Sequence, residues 1–106
     1  MSNKISIGVL VSGGGTNLQA LIDAQKSGII NNGEIKLVIS NNRDAYALTR
    51  AENANIKTAI ADKSLDVPFE EQIVSFLEEN EIEIIVLAGF MCILSENFVK
   101  KYDKRI

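Results

Sequence analysis

The residues with the clearest chemical potential are Ser12-Gly13-Gly14-Gly15-Thr16-Asn17, which follow an apolar run at 5–11 and lead into an amphipathic segment. Three consecutive glycines let a backbone approach an anion closely, and the first N–H groups of a following helix have no partner within it. The chemistry this suits is phosphate binding by backbone amides, with the Thr16 hydroxyl and the Asn17 side chain as polar additions. Taken alone, the turn fits two readings: a phosphate cradle, or a tight strand-to-helix turn that binds nothing.

Better-known glycine motifs do not match. A dinucleotide fingerprint needs G-x-G-x-x-G and an acid closing the second strand, but counting from Gly13 reaches Gly15 and then Leu18, and the second strand closes in Ser40-Asn41-Asn42. A nucleoside-triphosphate loop needs Gly-Lys-Ser/Thr, and no lysine follows these glycines. What remains is a monophosphate.

The elements that must position this turn alternate along the chain. Residues 5–11 are apolar at nearly every position, as in a parallel strand buried on both faces. Leu18, Leu21 and Ile22 recur at helical spacing up to Gly28. A second strand is expected over 35–39, a helix over 45–53 capped by Asp44, and a short strand over 57–61. A third helix is expected to begin near Asp66 and Pro68, with Phe69, Ile73, Phe76 and Leu77 on one face, followed by a strong strand over 82–89. Ser95 suits the N-cap of a last helix, with Leu94 and Val99 placed as a hydrophobic staple. This βαβαβαβα order predicts an α/β fold, a doubly wound, Rossmann-like parallel sheet in three layers, with strand order 3-2-1-4. That order makes neighbours of two distant loops, 12–17 and 89–94, at the carboxyl ends of the first and fourth strands.

Composition narrows the function classes. The 106 residues, 46% hydrophobic, suit one domain, and the net charge of −3 provides no footprint for nucleic acid or an anionic membrane. No apolar run is long enough to span a bilayer, the single cysteine, Cys92, cannot form an internal disulfide, and no signal-peptide pattern opens the chain, so a cytoplasmic location is expected. The carboxylates Asp23, Asp44, Glu52, Glu70, Glu71, Glu78 and Glu79 fall on helix faces or caps and are expected to be solvated. The basic run 100–105 reads as a helix end with cations at its C-terminal dipole.

The runs Ser12-Gly13-Gly14-Gly15-Thr16-Asn17-Leu18-Gln19-Ala20-Leu21-Ile22-Asp23-Ala24, Val38-Ile39-Ser40-Asn41, Val86-Leu87-Ala88-Gly89-Phe90-Met91 and Ile93-Leu94-Ser95 occur in an order that spans the chain. Together they resemble the phosphoribosylglycinamide formyltransferases, folate-dependent enzymes of purine synthesis. The first loop does not resemble those of formyltetrahydrofolate deformylase or methionyl-tRNA formyltransferase. The resemblance implies transfer of formyl from the co-substrate 10-formyltetrahydrofolate to the amine of phosphoribosylglycinamide. It assigns Gly15, Thr16 and Asn17 to the substrate phosphate, and Met91, Cys92, Ile93 and Leu94 to the folate pocket. Cys92 stands where other members can carry arginine, and no basic residue near Asp66 matches a folate-facing arginine of the family. No residue matches the family's catalytic Asn-x-His-Pro segment or its later aspartate, and the chain has no histidine. The expectation is therefore an N-terminal substrate-binding domain over 1–106, without a catalytic residue or turnover of its own, its catalytic C-terminal part absent and its last strand edge open to self-association. The alternative reading is a non-catalytic sugar-phosphate-binding or interaction module.

Overall fold

The computed structural model describes residues 4–29, 32–90, 94–102 and 105–106. The elements run β1 (Ile5–Val11), α1 (Thr16–Ser27), β2 (Gly33–Ser40), α2 (Tyr46–Asn53), β3 (Lys57–Ile60), α3 (Phe69–Glu79), β4 (Ile84–Leu87) and α4 (Glu96–Lys101). All four strands pair in parallel in the order β3-β2-β1-β4, as expected from the alternation. β1 and β2 are central, and their apolar stretches Val9-Leu10-Val11 and Leu37-Val38-Ile39 are wholly buried on both faces of the sheet.

Each sheet face carries its own core. On one face Val9, Val11, Ile35 and Val38 pack with Leu18 and Ile22 of α1 and Ala47 and Ala51 of α2. On the other, Leu10, Leu37, Ile39 and Ile85 pack with Ile73 and Leu77 of α3 and with Phe98 and Tyr102. Ile35 and Val38 share a face although they are three residues apart, which strict alternation forbids. A bulge resolves this: Ile7 pairs with Ile35 but Gly8 pairs with Leu37, so Lys36 is the extra residue and the pattern flips there. Gly8 sits where α3 approaches β1 closely, since a Cβ there would meet Ile82 Cγ2 at 3.0 Å and Leu77 Cδ2 at 3.2 Å.

Several element ends differ from expectation. α2 begins at Tyr46 with extended Ala45 as its N-cap and no side chain capping it, so Asp44 does not cap the helix; the Asp44 amide donates to Asn42 Oδ1 (3.0 Å) in the turn that precedes it. α3 begins only at Phe69, with extended Pro68 as N-cap, and β4 is four residues long rather than eight. α1 ends as expected at Gly28, in the left-handed region at φ 88°. Ser95 caps α4, its Oγ accepting from Phe98 N at 3.2 Å. The staple does not form as expected: Val99 is 47% exposed, and Phe98 and Tyr102 carry the helix onto the core, their rings 5.0 Å apart.

Two side chains outside the expected set tie loops together. Glu70, expected to be solvated, accepts from Ser95 N (2.6 Å) and Ser95 Oγ (2.5 Å), clamping the start of α4 to the first turn of α3. Gln72, buried, accepts from Asp62 N (2.9 Å) and donates to the carbonyls of Asp62 and Val67 (2.8 Å each), closing the loop that precedes α3. The outer edge of β4, expected to be open, is met by a described residue where Ile85 N donates to the Arg105 carbonyl at 2.6 Å. Arg105 also donates to the carbonyls of Glu83 (2.8 Å) and Ile82 (2.7 Å), so this cation is bound to the strand's approach rather than merely solvated.

Candidate functional site

The sheet grows outward from β1 through β2 to β3 on one side and then resumes with β4 on the other, so the carboxyl ends of the parallel strands β1 and β4 lie side by side: Ala88 N donates to Leu10 O at 2.9 Å. A crevice opens there by topology alone, between the loop after β1 and the loop after β4. The first lip is the glycine turn, residues 12–15, which feeds directly into α1.

The turn is held in one orientation by its carbonyls. Ser12 O accepts from Asn42 Nδ2 (3.4 Å), Gly13 O from Ala47 N (3.1 Å), Gly14 O from Arg50 Nε (2.8 Å) and Gly15 O from Gln19 N (2.8 Å). Four successive carbonyl oxygens thus face protein donors. In planar trans peptides the N–H of the next residue points to the opposite side, so the amides of Gly13, Gly14, Gly15 and Thr16 turn away from those donors. Gly15 is the N-cap of α1 at φ 83°, and no side chain caps the helix. The positive end of the α1 dipole and its first amides are therefore presented without an internal counter-charge, and no acidic residue occupies the first turn.

Gly15 is required for two separate reasons. Its φ is in the left-handed region, and a Cβ there would come within 2.7 Å of both Ala47 Cα and Ala47 Cβ. A Cβ on Gly13 or Gly14 would meet nothing within 4 Å. Only the third glycine is thus demanded by the fold, while the first two leave open space above the turn.

Among the residues singled out from the sequence, Gly15 is partly buried under α2, and Thr16 and Asn17 are exposed at the start of α1. On the second lip, Leu94 is partly buried against the core beneath α3 and α4; Met91, Cys92 and Ile93 lie outside the described residues. The base of that lip is stiffened by Phe90 stacked on Phe69 (6.5 Å), with Lys63 Nζ 5.2 Å from the Phe69 centroid, and by the Glu70–Ser95 clamp. Ser40, wholly buried at the end of β2, donates to Asn42 O (2.8 Å) and accepts from Asn42 N (2.9 Å), which aims the Asn42 amide at the glycine turn. Asn42, Ala47 and Arg50 are the residues that sequence reasoning missed. Their bonds cross 30 to 36 positions, and no local pattern signals them.

Among the described residues two groups have clearly shifted acidities, neither in the turn. Asp62, just beyond β3, is held below the usual carboxylate range chiefly by the Ser64 hydroxyl (2.7 Å) and amide (2.9 Å), then by Arg43 at 3.4 Å. It remains an anion near neutral pH, and so is no reservoir of protons. Burial pushes the Tyr102 phenol up, Glu78 adds to the shift and Arg105 opposes it. A hollow of about 390 Å³ beside Tyr102, lined by Leu77, Glu81, Ile82 and Arg105 among others, lies where α3 turns back into β4, at the opposite end of the sheet from the crevice. Among the described residues no cluster of His, Cys, Asp or Glu could hold a metal, and no helix is long and apolar enough to cross a membrane.

Comparison with known proteins places this geometry. The family model described as formyl transferase matches residues 5–106. The chain is 43% identical over 108 residues to the trifunctional purine biosynthetic protein adenosine-3 of Gallus gallus, covering 99% of this chain and 11% of that protein. It is 41% identical over 106 residues to the phosphoribosylglycinamide formyltransferase of Escherichia coli (strain K12), covering 96% of this chain and 49% of the relative. The crystal structure of phosphoribosylglycinamide formyltransferase from Anaplasma phagocytophilum superposes with a TM-score of 0.84 at 39% identity, over 97% of this chain and 48% of that one. The chain therefore spans about half the length of the phosphoribosylglycinamide formyltransferases it matches. A formyltetrahydrofolate deformylase from Pseudomonas putida shares the fold, with a TM-score of 0.86 at 23% identity.

Proposed function

This chain belongs to the formyl transferase family, and from that premise we propose that it is the substrate-binding part of a phosphoribosylglycinamide formyltransferase, holding the ribose phosphate on the turn that opens α1. The observation that carries the reading is the uncapped start of α1 behind a turn whose four carbonyls all face inward. A phosphate dianion is the group such a set of outward amides and a positive helix end would take, with Thr16 adding a hydroxyl and Asn17 an amide. Support also comes from the names of the relatives, several of which are phosphoribosylglycinamide formyltransferases.

In this reading the chain supplies position. Anchoring the phosphate at one end of the substrate directs the glycinamide amine across the crevice toward the second lip. There Met91, Cys92, Ile93 and Leu94 would line the pocket for 10-formyltetrahydrofolate, the formyl donor of the reaction. Fixing amine and formyl carbon side by side converts a bimolecular encounter into a local one. Deprotonation of the amine and stabilisation of the tetrahedral oxyanion need a group of shifted acidity and hydrogen-bond donors, and with no histidine in the chain these tasks fall to none of its residues. A cytoplasmic setting goes with this role.

Isothermal titration of phosphoribosylglycinamide into the chain, repeated with Thr16→Ala, tests the reading. Binding that weakens severalfold on loss of the hydroxyl is the expected result. Absence of heat at millimolar ligand, under conditions where the chain is folded, would overturn it.

A further inference from the structure

Arg50 is the one charged side chain described against the glycine turn, and its contacts are unusually complete for a surface helix. Its Nε donates to Gly14 O at 2.8 Å, its Nη1 donates to Gln19 Oε1 at 3.2 Å, and its Cζ lies 5.0 Å from the centroid of the Tyr46 ring. Gln19 in turn donates to Asp23 Oδ1 at 3.0 Å, extending the chain of bonds along α1. The Arg50 Cδ sits 3.1 Å from where a Cβ on Gly15 would be, so the aliphatic stem closes the back of the turn while the guanidinium holds its carbonyl.

We propose that Arg50 is a positioning residue for the substrate phosphate: it sets the plane of the peptide between Gly14 and Gly15, and locks α2 to α1, without touching the anion. The proposal rests on the reading of the turn as the phosphate cradle. The carbonyl of Gly14 and the amide of Gly15 belong to one rigid peptide plane, so pulling the oxygen toward α2 aims the N–H at the crevice. Ala47 N performs the same task one peptide earlier, but as a backbone group it cannot be varied, whereas the Arg50 bond depends on side-chain identity. The stacked Tyr46 ring fixes the guanidinium plane, which a lysine ammonium could not reproduce.

Three measurements on the 15N-labelled chain, with phosphoribosylglycinamide as probe, separate this role from others. Arg50→Met is expected to weaken binding about tenfold, and to move the Gly14 and Gly15 amide resonances of the ligand-free protein. Arg50→Lys, which keeps the charge, should not restore affinity, and Tyr46→Leu, at a side chain 56% exposed, should weaken binding two- to threefold with the fold intact, so the proposal stays testable should Arg50→Met fail to fold. Wild-type affinity in folded Arg50→Met or in Arg50→Lys would overturn the positioning role while the cradle stands. Failure of the wild-type chain to bind would instead remove the cradle, and this proposal with it.

Discussion

Replacing Gly15 by alanine should unfold the domain more easily than any comparable change in the turn, and the size of the effect follows from the contacts. An alanine held at φ 83° costs about 1–2 kcal/mol relative to its ordinary conformations. The new methyl would lie 2.7 Å from Ala47 Cα and Cβ, and because one of these is backbone the relief must come from α2 moving outward. Overpacking of that kind costs about 1–3 kcal/mol. Restricting the unfolded chain returns about 0.4–1 kcal/mol. The balance is a loss of roughly 2–4 kcal/mol, out of about 5–15 kcal/mol for a typical domain. At this size, each kcal/mol moves the midpoint by about 4–8 °C, so Tm should fall by roughly 10–30 °C. Urea and thermal unfolding followed by circular dichroism would measure it, with Gly14→Ala as the partner variant. A Cβ on Gly14 meets nothing within 4 Å and its φ is not left-handed, so that change should stay within about 1 kcal/mol of the wild type. The reasoning is refuted by a Gly15→Ala protein within about 0.5 kcal/mol of the wild type, or by equal losses in the two variants.

Gln72→Ala should cost about 2–3 kcal/mol in urea unfolding, because it leaves the Asp62 amide and the carbonyls of Asp62 and Val67 without their partner; an unchanged midpoint would mean that water replaces the side chain freely. Tyr102 is 3% exposed and, among the described residues, its Oη has no hydrogen-bond partner. Since its pKa is raised in the fold, the neutral phenol contributes stability that is fully present below the ordinary phenol value of about 10 and is lost as pH rises through and beyond it. Tyr102→Phe should remove that alkaline loss and leave stability at pH 7 equal or higher by up to about 1 kcal/mol, read from Tm between pH 7 and 11.

Much of the architecture was legible in the order of residues, because it depends on short-range rules. The apolar runs at 5–11 and around 35–39 suit strands buried on both faces, their alternation with helices points to a parallel sheet covered on each side, and the expected order β3-β2-β1-β4 is the one observed. Gly28 as a helix end and Ser95 as a cap were equally local, since each acts on a neighbour within three residues. The expectations that failed were element ends and surface side chains, whose partners are set by packing and by contacts between segments, as where Glu70 binds Ser95 25 positions on. The helix start moved one residue on, to an Ala45 N-cap, and Phe98 and Tyr102 rather than Val99 face the core.

The sequence by itself determined that a three-glycine turn would join the first strand to the first helix, and it pointed to the carboxyl ends of the first and fourth strands as neighbours in the sheet. Only the tertiary structure decided which way that turn faces. Its orientation is set by Asn42, Ala47 and Arg50, which approach from another segment because α2 crosses back on the same face as α1. Nothing in the spacing of those residues encodes the approach: a hydrogen bond across 30 to 36 positions has no period, and it exists only once the fold has brought its two ends to 2.8–3.4 Å.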